Sequence, residues 1–231
     1  MSLLNADTIF ALATPPGMSA IAVIRISGDK ALQVPQLFDV AAGAVRTAKR
    51  VFLKEKNGTI IDDVMVLGFA APASATGEDV LEIHCHGSVA VIDDILSVLA
   101  KTEGFRAAEP GEFTRRALDN GKMDITAAEG LADLIEAETA MQRRQASAQM
   151  TGQLSRPVGF WRAEIARLLA HLEAIIDFAD EELPEALQQE IAADTAKLCA
   201  ELETALDDQR FGEIIRNGFI SASLISLTLA N

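Results

Sequence analysis

Thr76-Gly77-Glu78-Asp79-Val80-Leu81-Glu82-Ile83-His84-Cys85-His86-Gly87 is the stretch on which the fold of this chain turns. Gly77 marks a turn, and the residues after it alternate. As a strand from Asp79 to Cys85, the segment sends Leu81, Ile83 and Cys85 to one side and Val80, Glu82 and His84 to the other, because strand side chains repeat every two residues. One face is apolar, and the other sets a carboxylate beside an imidazole. A carboxylate in mid-strand among apolar neighbours is costly unless something pairs with it. Glu82 therefore predicts a partner elsewhere in the chain.

Upstream, Thr8 to Ala13 reads as a strand that Thr14-Pro15-Pro16-Gly17 stops, since neither proline can donate to a ladder. Ala20 to Gly28 follows as a nearly continuous apolar strand, of the kind covered on both faces, yet it contains Arg25. Arg25 has two readings: a cation whose stem snorkels to the rim, or a group turned into a pocket to hold an anion. Asp29 is placed to cap a short helix that Pro35 interrupts. Val51–Lys56 and Thr59–Phe69 flank Asn57-Gly58, the dipeptide suited to a two-residue hairpin turn. Downstream, Ser88–Leu99 predicts a helix with Val89, Ile92, Ile95, Leu96 and Leu99 on one stripe, able to cover the sheet. Glu109-Pro110-Gly111 ends the next extended segment. Glu112–Leu118 reads as a short basic helix with Arg115 and Arg116, and Asn120-Gly121-Lys122 as a turn. Strands, hairpin and helices together predict a mixed sheet.

The second half changes character. Thr126-x-x-Glu129 reads as a capping box opening a helix with Leu131, Leu134, Ile135 and Met141, which runs until Gly152. Pro157 suits a first helical turn, and Val158, Trp161, Ile165, Leu168, Leu169, Leu172, Ile175 and Ile176 keep three-and-four spacing, which predicts a long core-facing helix. Leu187, Ile191, Leu198 and Leu202 mark another. Short connections predict antiparallel neighbours. The expected class is α+β, a mixed-sheet domain over 1–121 followed by an all-α bundle over 122–218. The apolar stretch 219–231 stands apart: from Asn217 onward it carries no charged residue, and it is too short to span a bilayer.

The formal charge of -14 and pI of about 4.6 oppose a broad electrostatic footprint on phosphate backbones. A nucleic-acid role needs a local basic patch or a basic partner. Cys85 and Cys199 lie far apart, outside any C-x-x-C spacing, which predicts a reduced, cytoplasmic protein. No apolar run reaches the roughly 18 residues of a membrane span, so no membrane partner is expected.

The segments Thr14-Pro15-Pro16-Gly17, Ile24-Arg25-Ile26-Ser27-Gly28, Thr76-Gly77-Glu78-Asp79, His86-Gly87, Pro110 to Ala117 and Lys122-Met123-Asp124-Ile125 occur in the order and spacing of the tRNA-modification GTPase family MnmE, also called TrmE. Ala127-Ala128-Glu129, Ala132-Asp133-Leu134-Ile135 and Ile175-Ile176-Asp177-Phe178 match as well. The resemblance runs from Leu4 to Phe219. It implies a tetrahydrofolate-binding-like domain that also dimerises, then a helical domain interrupted by a Ras-like G domain. It further implies a flavoprotein partner, MnmG (GidA), and modification of carbon 5 of the wobble uridine of tRNA. A 5-formyl or 5,10-methylene tetrahydrofolate supplies the one-carbon unit. GTP, magnesium and potassium serve the full-length family, and tRNA is contacted mainly through the complex.

By that resemblance the folate-contacting residues are Arg25, Glu82 and Lys122. The residue types suit it: a carboxylate accepts parallel hydrogen bonds from a pteridine amino group and ring NH, while cations suit a carbonyl or a glutamate tail. The competing reading is an internal Arg25–Glu82 ion pair that holds two strands together. Departures from the family pattern are Ala75, where an aromatic residue is usual, and Ser88, where a second glycine is usual. After Phe219 no Gly-x-x-x-x-Gly-Lys-Ser phosphate loop appears, and the family's C-terminal Cys motif is absent. The chain thus reads as truncated or internally deleted. It is expected to bind folate and dimerise without hydrolysing GTP, so no catalytic residue is assigned. The alternative is a non-enzymatic dimerising interaction module. Two further rivals are weaker: His84-Cys85-His86 beside Glu82 as a metal site, and the acidic run Asp177–Glu182 as a cation site rather than a solvated helix end.

Overall fold

A computed structural model describes residues 7–207 except 42 and 178–184, together with 212, 215 and 216. The side chain of Leu187, the acidic run beyond Asp177 and the apolar stretch 217–231 lie outside the described residues. The chain divides into two compact units between Met123 and Asp124.

The first unit holds six strands: β1 (Thr8–Leu12), β2 (Ser19–Ser27), β3 (Lys49–Lys54), β4 (Ile60–Phe69), β5 (Val80–Gly87) and β6 (Phe105–Ala107). They form one sheet in the order β3-β4-β5-β2-β1-β6, antiparallel except where β1 meets β6. This is the expected mixed sheet, and with the helices that follow the chain is α+β. The period-two reading of β5 holds: Leu81, Ile83 and Cys85 are buried with Ile24, Ile26, Phe10, Val64 and Val66 in one core. Helix α1 (Val89–Ala100) and a 3-10 helix (Ala31–Phe38) contribute Ile92, Ile95, Leu99, Val34 and Phe38 to that core. Val89, expected on the α1 stripe, is instead exposed.

Two local expectations give way. Asp29 does not cap the 3-10 helix, whose N-cap position is Lys30 without a side-chain bond. The chain has already turned, because Ala31 N–H donates to the carbonyl of Gly28 at 2.9 Å. Pro35 then lacks the N–H that an α-helical bond to Ala31 would need, and the tighter helix results. The Asn57-Gly58 hairpin has a three-residue loop rather than two. Glu55 receives the Gly58 N–H at 2.9 Å and donates its own N–H to Thr59 O at 2.9 Å. Gly58 supplies the positive φ of 88° that this loop needs after its turn, and the register shifts beyond Leu53.

Helix α2 (Glu112–Asp119) closes the unit. Lys122 N–H reaches Ala117 O at 2.8 Å and Gly121 N–H reaches Leu118 O at 2.9 Å, with Gly121 at φ 64°, so the turn read at Asn120-Gly121-Lys122 is a Schellman cap.

The second unit contains α3 (Ile125–Glu136), α4 (Ala140–Met150), α5 (Ser155–Asp177) and α6 (Glu185–Leu206). The helix expected from Thr126 to Gly152 is two helices. Thr139 caps the second in a reciprocal box with Gln142, and Asp124, not Thr126, caps the first through Ala127 N–H at 2.8 Å. The break lets α4 pack against α3 at Gly130, where a Cβ would lie 2.7 Å from Met150 N. Helices α5 and α6 share Leu168, Ile191 and Leu198, flanked by Trp161, Ile175 and Leu202. The α5 stripe is less core-facing than its spacing predicts: Val158, Ile165, Leu169, Leu172 and Ile176 are exposed.

Candidate functional site

The face of the sheet opposite the core positions the candidate residues. Register across β1, β2, β5 and β4 aligns Ala11, Arg25, Glu82 and Leu67 in one row, with Ile9, Ser27, Val80 and Phe69 in the next. Glu82 thus finds the partner its mid-strand position demands directly across the β2–β5 ladder. Arg25 donates from Nε at 2.9 Å and from Nη2 at 2.7 Å, both to Glu82 Oε1. Oε2 meets only His84 Nε2, at 3.3 Å. The Arg25 guanidinium carbon lies 6.0 Å from the centre of the Phe113 ring on α2, within cation–π range. The Glu82 side chain is 16% exposed and that of Arg25 34%, so the pair is shielded yet reachable.

Lys122 is not part of this pair. Its ammonium donates to Pro72 O at 2.9 Å. Its stem lies against Gly77, where φ is 79° and a Cβ would stand 3.2 Å from Lys122 Cγ. Asn120 donates to Thr76 O at 2.8 Å. The Thr76-Gly77 turn and the α2 cap therefore hold each other, and glycine is required by both the positive φ and the close approach.

Beside the row lies a network that sequence reasoning missed. Arg116, on what reads as a short basic helix, is fully buried. It donates from Nη1 to Glu78 Oε2 at 3.0 Å, and from Nη2 to Glu112 Oε1 at 3.1 Å and Asp7 O at 3.1 Å. Ser27 joins Glu78 Oε2 and Thr76 Oγ1, both at 2.7 Å. Arg106 adds two donors to Glu112 at 2.6 and 2.8 Å. These bonds, above all those from Arg106, hold the Glu112 carboxyl down to about 2 against its burial, and the Arg106 guanidinium is held correspondingly above its usual range. The signal available in the sequence was the Glu112–Arg116 spacing of four on one helix. It does not reveal burial, which comes from the packing of Asp7, Ser27 and Glu78 around it.

The two imidazoles of His84-Cys85-His86 go to different partners. His84 faces Glu82, while His86 takes Asp62, with backbone N–H to Oδ2 at 2.8 Å and Nδ1 to Oδ1 at 2.7 Å. No group of three or more His, Cys, Asp or Glu able to hold a metal occurs among the described residues. Cys85 is buried and its thiol is pushed up to about 11 by desolvation, which makes it inert. No helix among the described residues is long and apolar enough to cross a membrane.

Fold and site together define a two-part α+β chain: a sheet domain with a paired carboxylate and guanidinium on the face opposite its core, then an all-α unit. A family model described as "GTP-binding protein TrmE N-terminus" matches residues 8–122, and the "MnmE helical domain" model matches residues 125–220. The chain belongs to the MnmE family. It is 49% identical over 213 residues to the tRNA modification GTPase MnmE of Ruegeria pomeroyi, covering 92% of this chain and 50% of that protein. The MnmE of Azorhizobium caulinodans is 49% identical over 220 residues, with 94% and 51% covered, and that of Rhodopseudomonas palustris 48% over 217 residues, with 94% and 49% covered. The chain spans about half the length of these curated relatives.

Proposed function

We propose that this chain is the folate-binding and helical part of a tRNA wobble-uridine modification protein. The observation that carries the reading is the state of Glu82. Both Arg25 donors fall on one carboxylate oxygen, and the other meets only a long contact from His84. A carboxylate accepts about four hydrogen bonds, so Glu82 keeps capacity for a pteridine amino group and ring NH. Arg25 beside it suits a pteridine carbonyl, and Lys122, after releasing Pro72 O, suits an anionic tail. In this reading the folate brings the one-carbon unit, and Glu82 and Arg25 bind and orient its ring. No residue of this chain is assigned a chemical step.

Calorimetric titration with 5-formyltetrahydrofolate tests the reading. Saturable binding is expected, and Glu82→Ala is expected to weaken it by tenfold or more, corresponding to loss of about 1.5–3 kcal/mol of charged hydrogen bonding. Unchanged affinity in a folded Glu82→Ala protein would leave Arg25–Glu82 as an internal pair joining two strands. The ion pair already made in the structure is what favours that second reading.

The remaining family attributes are expectations of the same proposal: a homodimer through the N-terminal unit, a cytoplasmic location, MnmG as partner, and GTP hydrolysis with magnesium and potassium in the full-length relatives. No Gly-x-x-x-x-Gly-Lys-Ser run occurs in these 231 residues, so they hold no phosphate loop of that kind for GTP. Phosphate release by this chain is expected to stay at the no-enzyme rate, and turnover that co-purifies with it would overturn that. Light scattering tests the dimer, which is the property that the interaction-module alternative retains if folate binding fails.

A further inference from the structure

The disposition of the lysines points to a second surface. Lys30, Lys49 and Lys122 spend their ammonium groups on the backbone carbonyls of Glu103, Ala41 and Pro72. Lys54, Lys56 and Lys101 have no partner among the described residues, and all three line one groove of about 910 Å³. They arrive from separate elements: the end of β3, the hairpin loop and the C-cap of α1. Leu37 and Val98 give the groove apolar lining, and the carboxylates that share it are Asp39 and Glu55. Glu55 is held by the Asn57 side-chain amide at 2.7 Å, and among the described residues neither carboxylate forms an ion pair with these lysines. In a chain of net charge -14, three ammonium groups against two carboxylates leave this groove locally positive by one.

We infer that this groove docks the phosphate backbone of an RNA strand. The inference rests on the tRNA part of the proposed function but not on folate binding. The three ammonium groups stand on flexible stems at a groove open to solvent, an arrangement suited to the additive, salt-sensitive contacts that positive side chains make with a phosphate chain. The net acidic surface opposes general RNA binding, so contact is expected where ammonium groups collect, as they do in this groove. Leu37 and Val98 offer contact to sugar and base edges.

Fluorescence anisotropy with a labelled anticodon stem-loop RNA and this full chain, across a salt series, provides the test. Three phosphate contacts predict a log–log salt slope of about -2 to -3, and each Lys→Gln change at 54, 56 or 101 is expected to reduce its magnitude by about one. The combined Lys54→Gln, Lys56→Gln, Lys101→Gln variant, its fold checked by circular dichroism, is expected to bind at least tenfold more weakly at low salt. Lys197→Gln on α6 is expected to bind as the parent does. RNA affinity that is absent in the parent at low salt, or unmoved in the triple variant, overturns the inference. Inorganic pyrophosphate binding as tightly as the RNA overturns it too, by making the groove a small-anion site. Retained 5-formyltetrahydrofolate binding in the triple variant separates this result from the fate of the folate reading, which Glu82→Ala tests.

Discussion

At the scale of single residues, alternation in β5 makes Glu82 legible as a carboxylate in search of a partner, and Arg25 is directly opposite it. The buried set around Glu112 was not legible, because Glu112 and Arg116 look like any solvent-facing pair until Asp7, Ser27 and Glu78 close over them. That set has a pH signature. The Glu112 carboxyl sits at about 2 in the folded protein against an ordinary 4.5, so the unfolded chain binds its proton more tightly. Its contribution is complete above about 4.5 and is lost as pH falls through about 2, a total of about 3 kcal/mol. Urea unfolding between pH 7 and pH 2.5 is expected to show that fall. Glu112→Gln should be destabilised by several kcal/mol at pH 7, in the range of about 3–5 for a broken buried pair, and should have a flatter pH dependence. A variant with the parent's slope would show that Glu112 does not set the pH dependence. The two thiols separate just as cleanly: Cys199, exposed, is expected to react with a maleimide in the native protein, and Cys85 only after denaturant is added.

At the scale of elements, periodicity placed the strands and helices well, and local chemistry decided their ends. Thr126-x-x-Glu129 reads as a capping box, yet Thr139-x-x-Gln142 carries the same pattern and is the one that forms. Asp124 outcompetes Thr126 because its carboxylate accepts both Ala127 N–H and the Thr126 hydroxyl, each at 2.8 Å. The resulting break makes Gly130 a contact residue, a role that no local pattern announces. Alanine there would normally favour a helix by about 1 kcal/mol. Here its Cβ would meet Met150 N at 2.7 Å and Ala146 O at 3.0 Å, both backbone atoms that cannot swing aside. Gly130→Ala is therefore expected to destabilise the helical unit by about 1–3 kcal/mol. Denaturant melts followed by helical circular dichroism check the sign. A stabilised variant would mean that α3 and α4 part without cost.

At the scale of the whole molecule, the two units are unequal, and the sequence misled on this point by giving both halves clean apolar patterns. The sheet unit buries a core drawn from five strands, α1 and the 3-10 helix, with Ile24, Ile26, Val34, Leu53, Ile95 and Leu99 wholly enclosed. The α5–α6 pair buries Leu168, Ile191 and Leu198, while much of the α5 stripe stays exposed. Spacing identifies which side chains share a helix face, but not whether anything covers that face. Each buried aliphatic side chain contributes about 1.5–3 kcal/mol and must offset the entropy of ordering its segment. By that measure the sheet can hold its amides closed far better than the long helices can. Hydrogen exchange followed by mass spectrometry is expected to show β2 and β5 exchanging only through global opening of their unit. Peptides from α5 and α6 should exchange orders of magnitude faster, through local opening. The difference should persist at low protein concentration, where self-association cannot cover the stripe. Equal protection of α5 and β2 in this chain would show that the few buried contacts between α5 and α6 suffice, and that buried apolar area does not set local stability in this protein.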